Sequence, residues 1–143
     1  MAHTGSGTRP WSGHKIGAGY IAFGNVLAGP QVVEAIAAGF MTKPSDPLEF
    51  RLLAVLEGGR NAGGQVGAQG HLTERSAAIR VDAVPDHPDI DVRVDLHDDA
   101  VVELHRILEE FKRYEVFYRD RGRDPRNAVT QDQFVASLAR AAD

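Results

Sequence analysis

Apolar and alternating stretches of the chain predict three β-strands. Residues 19–27 are rich in aromatic and β-branched side chains, which is typical of a mostly buried strand. Residues 76–84 and 90–96 alternate between apolar and polar positions, and residues 85–89 between them have the composition of a turn. We therefore expect the second and third strands to form an antiparallel hairpin with one solvated or site-facing side.

Apolar residues spaced three and four positions apart predict two helices in the first half of the chain. The first helix is expected to begin at Pro30, because proline is favoured at the first helical position. The second is expected to have Asp46 as its N-cap, with Pro47 and Glu49 as its first and third residues. Gly58 and the glycine after it should end this second helix.

The second half of the chain predicts a long helix and a short one. The long helix should begin after Asp99 and continue through residue 117, and the charged segment 119–126 should break it. Thr130 and Gln133 have the spacing of a capping box, which predicts a short final helix. From these elements we expect an α+β fold, with residues 1–118 forming one domain and residues 119–143 a charged linker and short helix.

A glycine-rich stretch separates the predicted second helix from the hairpin. Residues 58–74 contain six glycines and no clear periodicity, which predicts a long loop. Its Gly-Gly-Gln-Val-Gly run begins at Gly63 but lacks the Lys-Ser/Thr ending of a phosphate-binding loop. It also lacks the strand-loop-helix context of a dinucleotide-binding site, so a structural glycine loop is the favoured interpretation.

The composition limits the classes of function. Apolar residues make up 43% of the chain and charged residues 25%, values that are ordinary for a folded domain. Basic and acidic residues number 16 and 20 and are interspersed, so no nucleic-acid surface is predicted. The chain has no cysteine and no apolar run long enough to span a bilayer. We expect a cytoplasmic protein that binds neither nucleic acid nor membrane and needs no cofactor.

Two catalytic or metal-binding arrangements can be drawn around His97. His97 with Asp95, Asp98 and Asp99 would suit a cation, but acidic residues at this position are more often helix caps. Ser76, His97 and Asp95 would form a serine triad, but Ser76 lacks the surrounding sequence of a nucleophile elbow. We therefore expect no metal site, and we favour structural roles for these residues.

Three residues near the first strand are stronger candidates. Trp11 and His14 lie together in a glycine-rich segment, which is typical of a packed loop and also of a functional one. Asn25 follows Gly24 within an apolar strand, where a buried amide must find a hydrogen-bond partner. Asn25 is therefore either a local structural group or a donor to a substrate oxygen.

Several of these segments occur together, in the same order, in the prokaryotic family DUF1028. They are Trp11-Ser-Gly-His14, Gly19-Tyr-Ile-Ala-Phe-Gly-Asn-Val-Leu-Ala-Gly29, Ala62-Gly-Gly64, Arg75-Ser-Ala-Ala78 and Asp91-Val-Arg-Val-Asp-Leu-His97. The chain resembles that family from about residue 4 to residue 111. The resemblance implies a fold like that of N-terminal nucleophile (Ntn) hydrolases, in which two sheets are sandwiched between helices.

The resemblance departs from the family pattern in two places. Family members usually have a further N-terminal segment that includes the expected nucleophile, so this chain should correspond to the C-terminal two thirds of the family's domain. Met1 and Ala2 offer no hydroxyl or thiol, and Thr4 or Ser6 would act as an N-terminal nucleophile only after a cleavage. The link after residue 64 is also longer than in many relatives, and it has Gln65 where they have an acidic residue.

Two functional hypotheses follow. In the first, relatives of full length hydrolyse an amide or related acyl bond of a small-molecule or peptide-like substrate, and Asn25 stabilises the oxyanion. Its candidate substrate-binding residues are Trp11, His14, Asp91, Arg93 and Asp95. In the second, the chain is a non-catalytic assembly module that forms a homo-oligomer through an exposed sheet edge.

Overall fold

The protein combines helices with small antiparallel sheets, as expected for the α+β class. The computed structural model describes residues 1–9, 11–82 and 89–140. In these residues the helices are α1 (Pro30–Thr42), α2 (Leu48–Asn61), α3 (Ala100–Arg123) and α4 (Gln131–Arg140). The strands are β1 (Gly13–Gly17), β2 (Tyr20–Gly24), β3 (Gln65–Gly67), β4 (Gly70–Leu72), β5 (Ala77–Val81) and β6 (Ile90–Val94). They pair as β1-β2, β3-β4 and β5-β6, each pair antiparallel.

The chain divides into two compact units, residues 1–105 and residues 106–143. The first unit contains the three sheets, α1, α2 and the beginning of α3. The second contains the rest of α3 and α4. Within the described residues, no helix is both long enough and apolar enough to cross a membrane.

The β1-β2 hairpin packs against α1 through one of its two faces. The predicted strand at residues 19–27 is confirmed as β2, although it ends at Gly24. Its partner β1 was not predicted, because a five-residue strand with glycine at both ends gives only a weak alternation signal. The core formed with α1 consists of Ala22, Leu27, Val32, Val33 and Ala37.

Helix α2 differs from its prediction at both ends. Pro47, not Asp46, is the N-cap, because its ψ of 146° keeps it outside the helix, and no side chain caps this end. At the other end the helix continues through Gly58 to Asn61. A Cβ atom at Gly58 would lie 2.8 Å from the carbonyl oxygen of Ala35 in α1, so this glycine serves a close helix approach and does not end the helix.

The predicted loop 58–74 is largely ordered secondary structure. Its first residues belong to α2, and β3 and β4 form a hairpin in its centre. Positive φ angles at Gly63 and Gly64 allow the turn before β3, and that at Gly70 allows the turn between β3 and β4. The loop prediction was wrong because short strands with glycine at the turn carry no readable periodicity and depend on tertiary pairing.

The pairing of β5 with β6 confirms the second predicted hairpin. Ile79 lies opposite Val92, and every second residue of β6 is buried. The strands end earlier than predicted, and Leu96 is exposed. Most of the predicted turn at residues 85–89 lies outside the described residues.

Helix α3 begins where predicted and ends later. Asp99 precedes it and accepts a hydrogen bond from the Val102 N–H group at 3.3 Å. The helix continues through the predicted break at residue 119 to Arg123, because its arginine and aspartate residues are compatible with a helix and the first strong breaker is Pro125.

The second unit is held together by aromatic contacts. The rings of Phe117 in α3 and Phe134 in α4 stack with 4.5 Å between centroids, and Tyr114 meets Phe134 edge-on at 5.3 Å. The predicted capping box of α4 is confirmed by two reciprocal hydrogen bonds. The Thr130 N–H donates to Gln133 Oε1 at 2.9 Å, and the Gln133 N–H donates to Thr130 Oγ1 at 3.3 Å.

Candidate functional site

A cleft of about 630 Å³ lies between the N-terminal segment and the β1-β2 hairpin. This volume is within the ordinary range for small-molecule sites. Its described lining residues are Met1, Ala2, His3, Thr4, Gly5, Thr8, Ser12, Gly13, His14, Ile21, Phe23, Gly24, Asn25, Leu27 and Gln65. Four residues singled out in the sequence therefore share this cleft: Thr4, His14, Asn25 and Gln65.

A hydroxyl group and an imidazole meet in the cleft. Thr4 Oγ1 lies 2.7 Å from His14 Nδ1. In the tautomer that carries its proton on Nε2, the Nδ1 atom of His14 accepts the hydroxyl proton of Thr4. This is the contact that a histidine general base makes with a hydroxyl nucleophile.

The other two hydroxyl side chains of the described lining have different partners. Thr8 Oγ1 donates to the Gly5 carbonyl oxygen at 2.8 Å, and Ser12 Oγ donates to the Arg9 carbonyl oxygen. Both bonds close local turns of the backbone. Thr4 is therefore the hydroxyl of this described lining that is paired with a base.

Asn25 lies at the rim of this cleft, just after the end of β2. The sequence analysis placed it inside a buried strand, but the strand ends at Gly24 and Asn25 is exposed. The next residue, Val26, has a φ of 57°, which is a strained conformation for a β-branched side chain. This turn takes the chain from β2 into the core at Leu27 and leaves Asn25 among the residues that line the cleft.

The segment around Asn25 is fixed by hydrogen bonds to β3 and its neighbours. Gln65 Nε2 donates to the Asn25 carbonyl oxygen at 3.0 Å, and the Val66 N–H donates to the Val26 carbonyl oxygen at 2.8 Å. The Ala28 N–H donates to the Gly64 carbonyl oxygen at 2.9 Å. The β3-β4 hairpin thus holds one wall of the cleft, and it supplies Gln65 to the lining.

Trp11 does not line the cleft, but it packs against Gly13, which does. It is half-buried and packs against the core of β2 and α1. Its carbonyl oxygen accepts a hydrogen bond from the Leu27 N–H at 2.9 Å. A Cβ atom at Gly13 would lie 2.3 Å from the indole ring, so the ring lies directly against β1.

Asp91, Arg93 and Asp95 do not line this cleft. Asp91 and Arg93 are on the exposed face of β6, and Asp95 follows that strand. Arg80 Nη1 lies 3.9 Å from the Asp91 carboxylate, and Arg93 Nε lies 3.5 Å from that of Asp95. These residues therefore form a surface of paired charges, and their role in substrate binding remains a prediction.

The residues around His97 have structural partners. The Asp99 N–H donates to His97 Nδ1 at 3.0 Å, and Arg60 Nε donates to Asp99 Oδ1 at 3.1 Å. The hydrogen bond from Arg60, with that from the Val102 N–H, lowers the pKa of Asp99 below its ordinary value. Within the described residues, no group of three or more acidic or histidine side chains is placed to hold a metal ion.

These features describe an α+β protein with a cleft that holds a hydroxyl–imidazole pair. The chain belongs to DUF1028, a family of unknown function, whose sequence model matches residues 1–104. No protein with a curated description matches the chain significantly.

A solved structure supports the same membership. The crystal structure of protein SPO2555 from Silicibacter pomeroyi, described with the same family, is 27% identical in sequence and superposes with a TM-score of 0.64. The match covers 77% of this chain and 46% of that one. The chain therefore spans about half the length of this relative.

The Thr4–His14 contact was missed by the sequence analysis. Thr4 was considered only as an N-terminal nucleophile, and His14 only as a residue of a packed loop or of a substrate-binding site. No local pattern links two side chains that are ten positions apart on an irregular segment and a strand. Recognising β1 would have placed His14 opposite Phe23 on the same hairpin face, which is the one signal that was present.

Proposed function

We propose that this protein hydrolyses an amide or related acyl bond in the cleft, with Thr4 as nucleophile and His14 as general base. The observation that carries the proposal is the 2.7 Å contact between Thr4 Oγ1 and His14 Nδ1. Asn25 is proposed to donate a hydrogen bond to the oxyanion from its side-chain amide. This assignment keeps the acyl-transfer chemistry implied by the family resemblance, but it uses an imidazole where an Ntn hydrolase uses its α-amine.

The proposed reaction has two halves. Thr4 Oγ attacks the acyl carbon while its proton moves to His14 Nδ1, and the bond between the acyl carbon and the leaving amine or alcohol breaks as His14 returns that proton to the leaving group. Water then attacks the Thr4 acyl ester, again with His14 accepting the proton. The bond between the acyl carbon and Thr4 Oγ breaks as His14 returns the proton to Oγ, which restores the hydroxyl and releases the carboxylic acid.

The first experiment is a hydrolysis assay with chromogenic acyl anilides and acyl esters. We expect turnover by the wild type and loss of turnover in His14→Gln. Ser6→Ala is the matched control, because Ser6 lies in the same segment but does not line the cleft. Absence of turnover on every substrate, or full activity in His14→Gln, would contradict the proposal.

A second candidate function is assembly through unpaired strands. Each described sheet has two strands, so every described strand except β3 has an edge that is not paired with another strand. The second edge of β3 is bonded to residues 26–28. Free edges pair readily with further strands, either of a larger Ntn-like sandwich or of a second copy. We propose self-association on this basis. Light scattering across a dilution series would detect it, and a strictly monomeric protein at all concentrations would rule it out.

A further inference from the structure

The chemistry of the cleft wall restricts what it can bind. No described lining side chain is an aspartate, glutamate, lysine or arginine. The polar side chains are hydroxyls, amides and the imidazoles of His3 and His14, and the remainder are apolar or glycine. A carboxylate on a ligand would lose water here without gaining a lysine or arginine partner, and an ammonium group would gain no carboxylate partner, which is costly.

Two apolar side chains form a strip beside the proposed nucleophile. Ile21 and Phe23 are alternate residues of β2 and therefore lie on the same face, where they are 46% and 73% exposed. Phe23 is directly opposite His14 in the hairpin register. An apolar chain lying along this strip would therefore end next to the Thr4–His14 pair.

The charged face of β6 gives the contrast within the same unit. There Arg80, Asp91 and Arg93 project from the outer face of the β5-β6 hairpin and are paired with opposite charges. The fold thus has one hairpin with a charged outer face and another whose outer face is apolar. The reactive pair lies on the apolar one.

We infer that the cleft takes uncharged substrates with an apolar acyl chain, such as simple fatty acyl amides, in preference to substrates whose acyl chain carries a carboxylate. The acyl chain packs on Ile21 and Phe23, and the amide group faces Thr4, His14 and Asn25. The orientation of the amide rests on the proposed function. The preference for an uncharged apolar chain rests only on the residues that line the cleft.

Binding is measurable without turnover, because the chain has a single tryptophan. Trp11 lies against Gly13, which lines the cleft, so its fluorescence should change when the cleft is occupied. The Thr4→Val variant is titrated with hexanamide and with adipic acid monoamide, which has the same amide and chain but a terminal carboxylate. We expect hexanamide to bind at least about tenfold more tightly, a difference of roughly 1.4 kcal/mol.

Two variants locate the binding strip. Phe23→Ser should weaken hexanamide binding about tenfold, as expected for loss of a large apolar contact. Ile16→Ser is the matched control, because Ile16 is 58% exposed on the same hairpin face but does not line the cleft. This control should bind hexanamide as the wild type does.

The outcomes separate the two proposals. Equal or tighter binding of the charged amide, or no saturable binding of either, would overturn the inference about the substrate. Selective binding of hexanamide with no hydrolysis by the wild type would support the inference and count against the proposed reaction. Hydrolysis by the wild type that prefers charged acyl chains would support the proposed reaction and count against the inference about the substrate.

Discussion

Thr4 and His14 are brought together by the irregular N-terminal segment and strand β1, with 2.7 Å between Oγ1 and Nδ1. The hydroxyl is half-buried, whereas the imidazole lies on the exposed face of the hairpin. In this geometry the base is held by a strand, so activation of the hydroxyl does not depend on a free α-amine. The contact therefore defines which substitutions should abolish the proposed activity and which should not.

Replacing Thr4 by valine should remove acyl-bond hydrolysis while preserving the fold. Valine has nearly the same shape but no hydroxyl, and we expect kcat/KM to fall at least about a hundredfold. Thr8→Val is the matched control, because the Thr8 hydroxyl closes a local turn with Gly5. Initial rates and thermal unfolding of both variants test this. Comparable rates for Thr4→Val and Thr8→Val would show that Thr4 is not the nucleophile.

Replacing Asn25 by alanine should affect the chemical step more than substrate binding. Loss of one oxyanion donor typically lowers kcat by about 10² to 10³, with little change in KM. Asn127→Ala is the control, because Asn127 bonds Asp124 in the second unit. Steady-state kinetics separate the two parameters. An unchanged kcat for Asn25→Ala would leave Asn25 with a structural role.

Replacing Gly39 by alanine should destabilise the packing of α1 against α2. An added Cβ would lie 2.4 Å from the carbonyl oxygen of Ala54, and relieving such overlap typically costs about 1–3 kcal/mol. Gly122→Ala is the contrasting variant, because nothing lies within 4 Å of its Cβ position and alanine favours a helix by about 0.5–1 kcal/mol. Urea unfolding should show opposite signs. A stable Gly39→Ala variant would mean that the two helices are farther apart.

The ion pair between Asp99 and Arg60 should make stability depend on acid pH. The hydrogen bond that Asp99 accepts from Arg60 lowers the pKa of Asp99 in the folded protein. The contribution of this ion pair to the free energy of unfolding is therefore fully present above the pKa of Asp99 in the unfolded chain, about 3.9. It is lost as pH falls through the lower pKa of Asp99 in the folded protein. We expect Asp99→Asn to be less stable than the wild type at neutral pH and the two unfolding curves to converge in acid.

Arg60→Gln provides the matching test of that ion pair. It should reproduce the convergence, because it removes the main cause of the lowered pKa of Asp99 while leaving the bond to Val102. Urea unfolding as a function of pH measures both variants. A stability difference that is constant from neutral to strongly acid pH would exclude this ion pair as the source.

Local patterns predicted the elements that depend on local chemistry. The alternation of β6, the proline start of α1 and the Thr130–Gln133 capping box each follow from residues close in sequence. Elements that depend on a distant partner were not predicted. Strand β1 needs β2, and the role of Gly58 inside α2 depends on the close approach of α1.

The candidate site was also predicted only where the evidence is local in sequence. His14 and Asn25 were recognised as unusual polar residues in an apolar or glycine-rich setting, and both line the cleft. The pairing of His14 with Thr4 and the position of Gln65 against Asn25 depend on tertiary structure. The charges at Asp91 and Arg93 were visible in the sequence, but only the structure shows that they do not line the cleft.

The most direct test of the central claim is to locate a covalent acyl adduct. The protein is treated with a hydroxyl-reactive β-lactone, and the modified residue is found by peptide mass spectrometry. The account predicts an adduct on Thr4 that is lost in Thr4→Val, strongly reduced in His14→Gln and retained in Thr8→Val. An adduct on another residue, no adduct at all, or labelling of Thr4 that is unchanged in His14→Gln would contradict it.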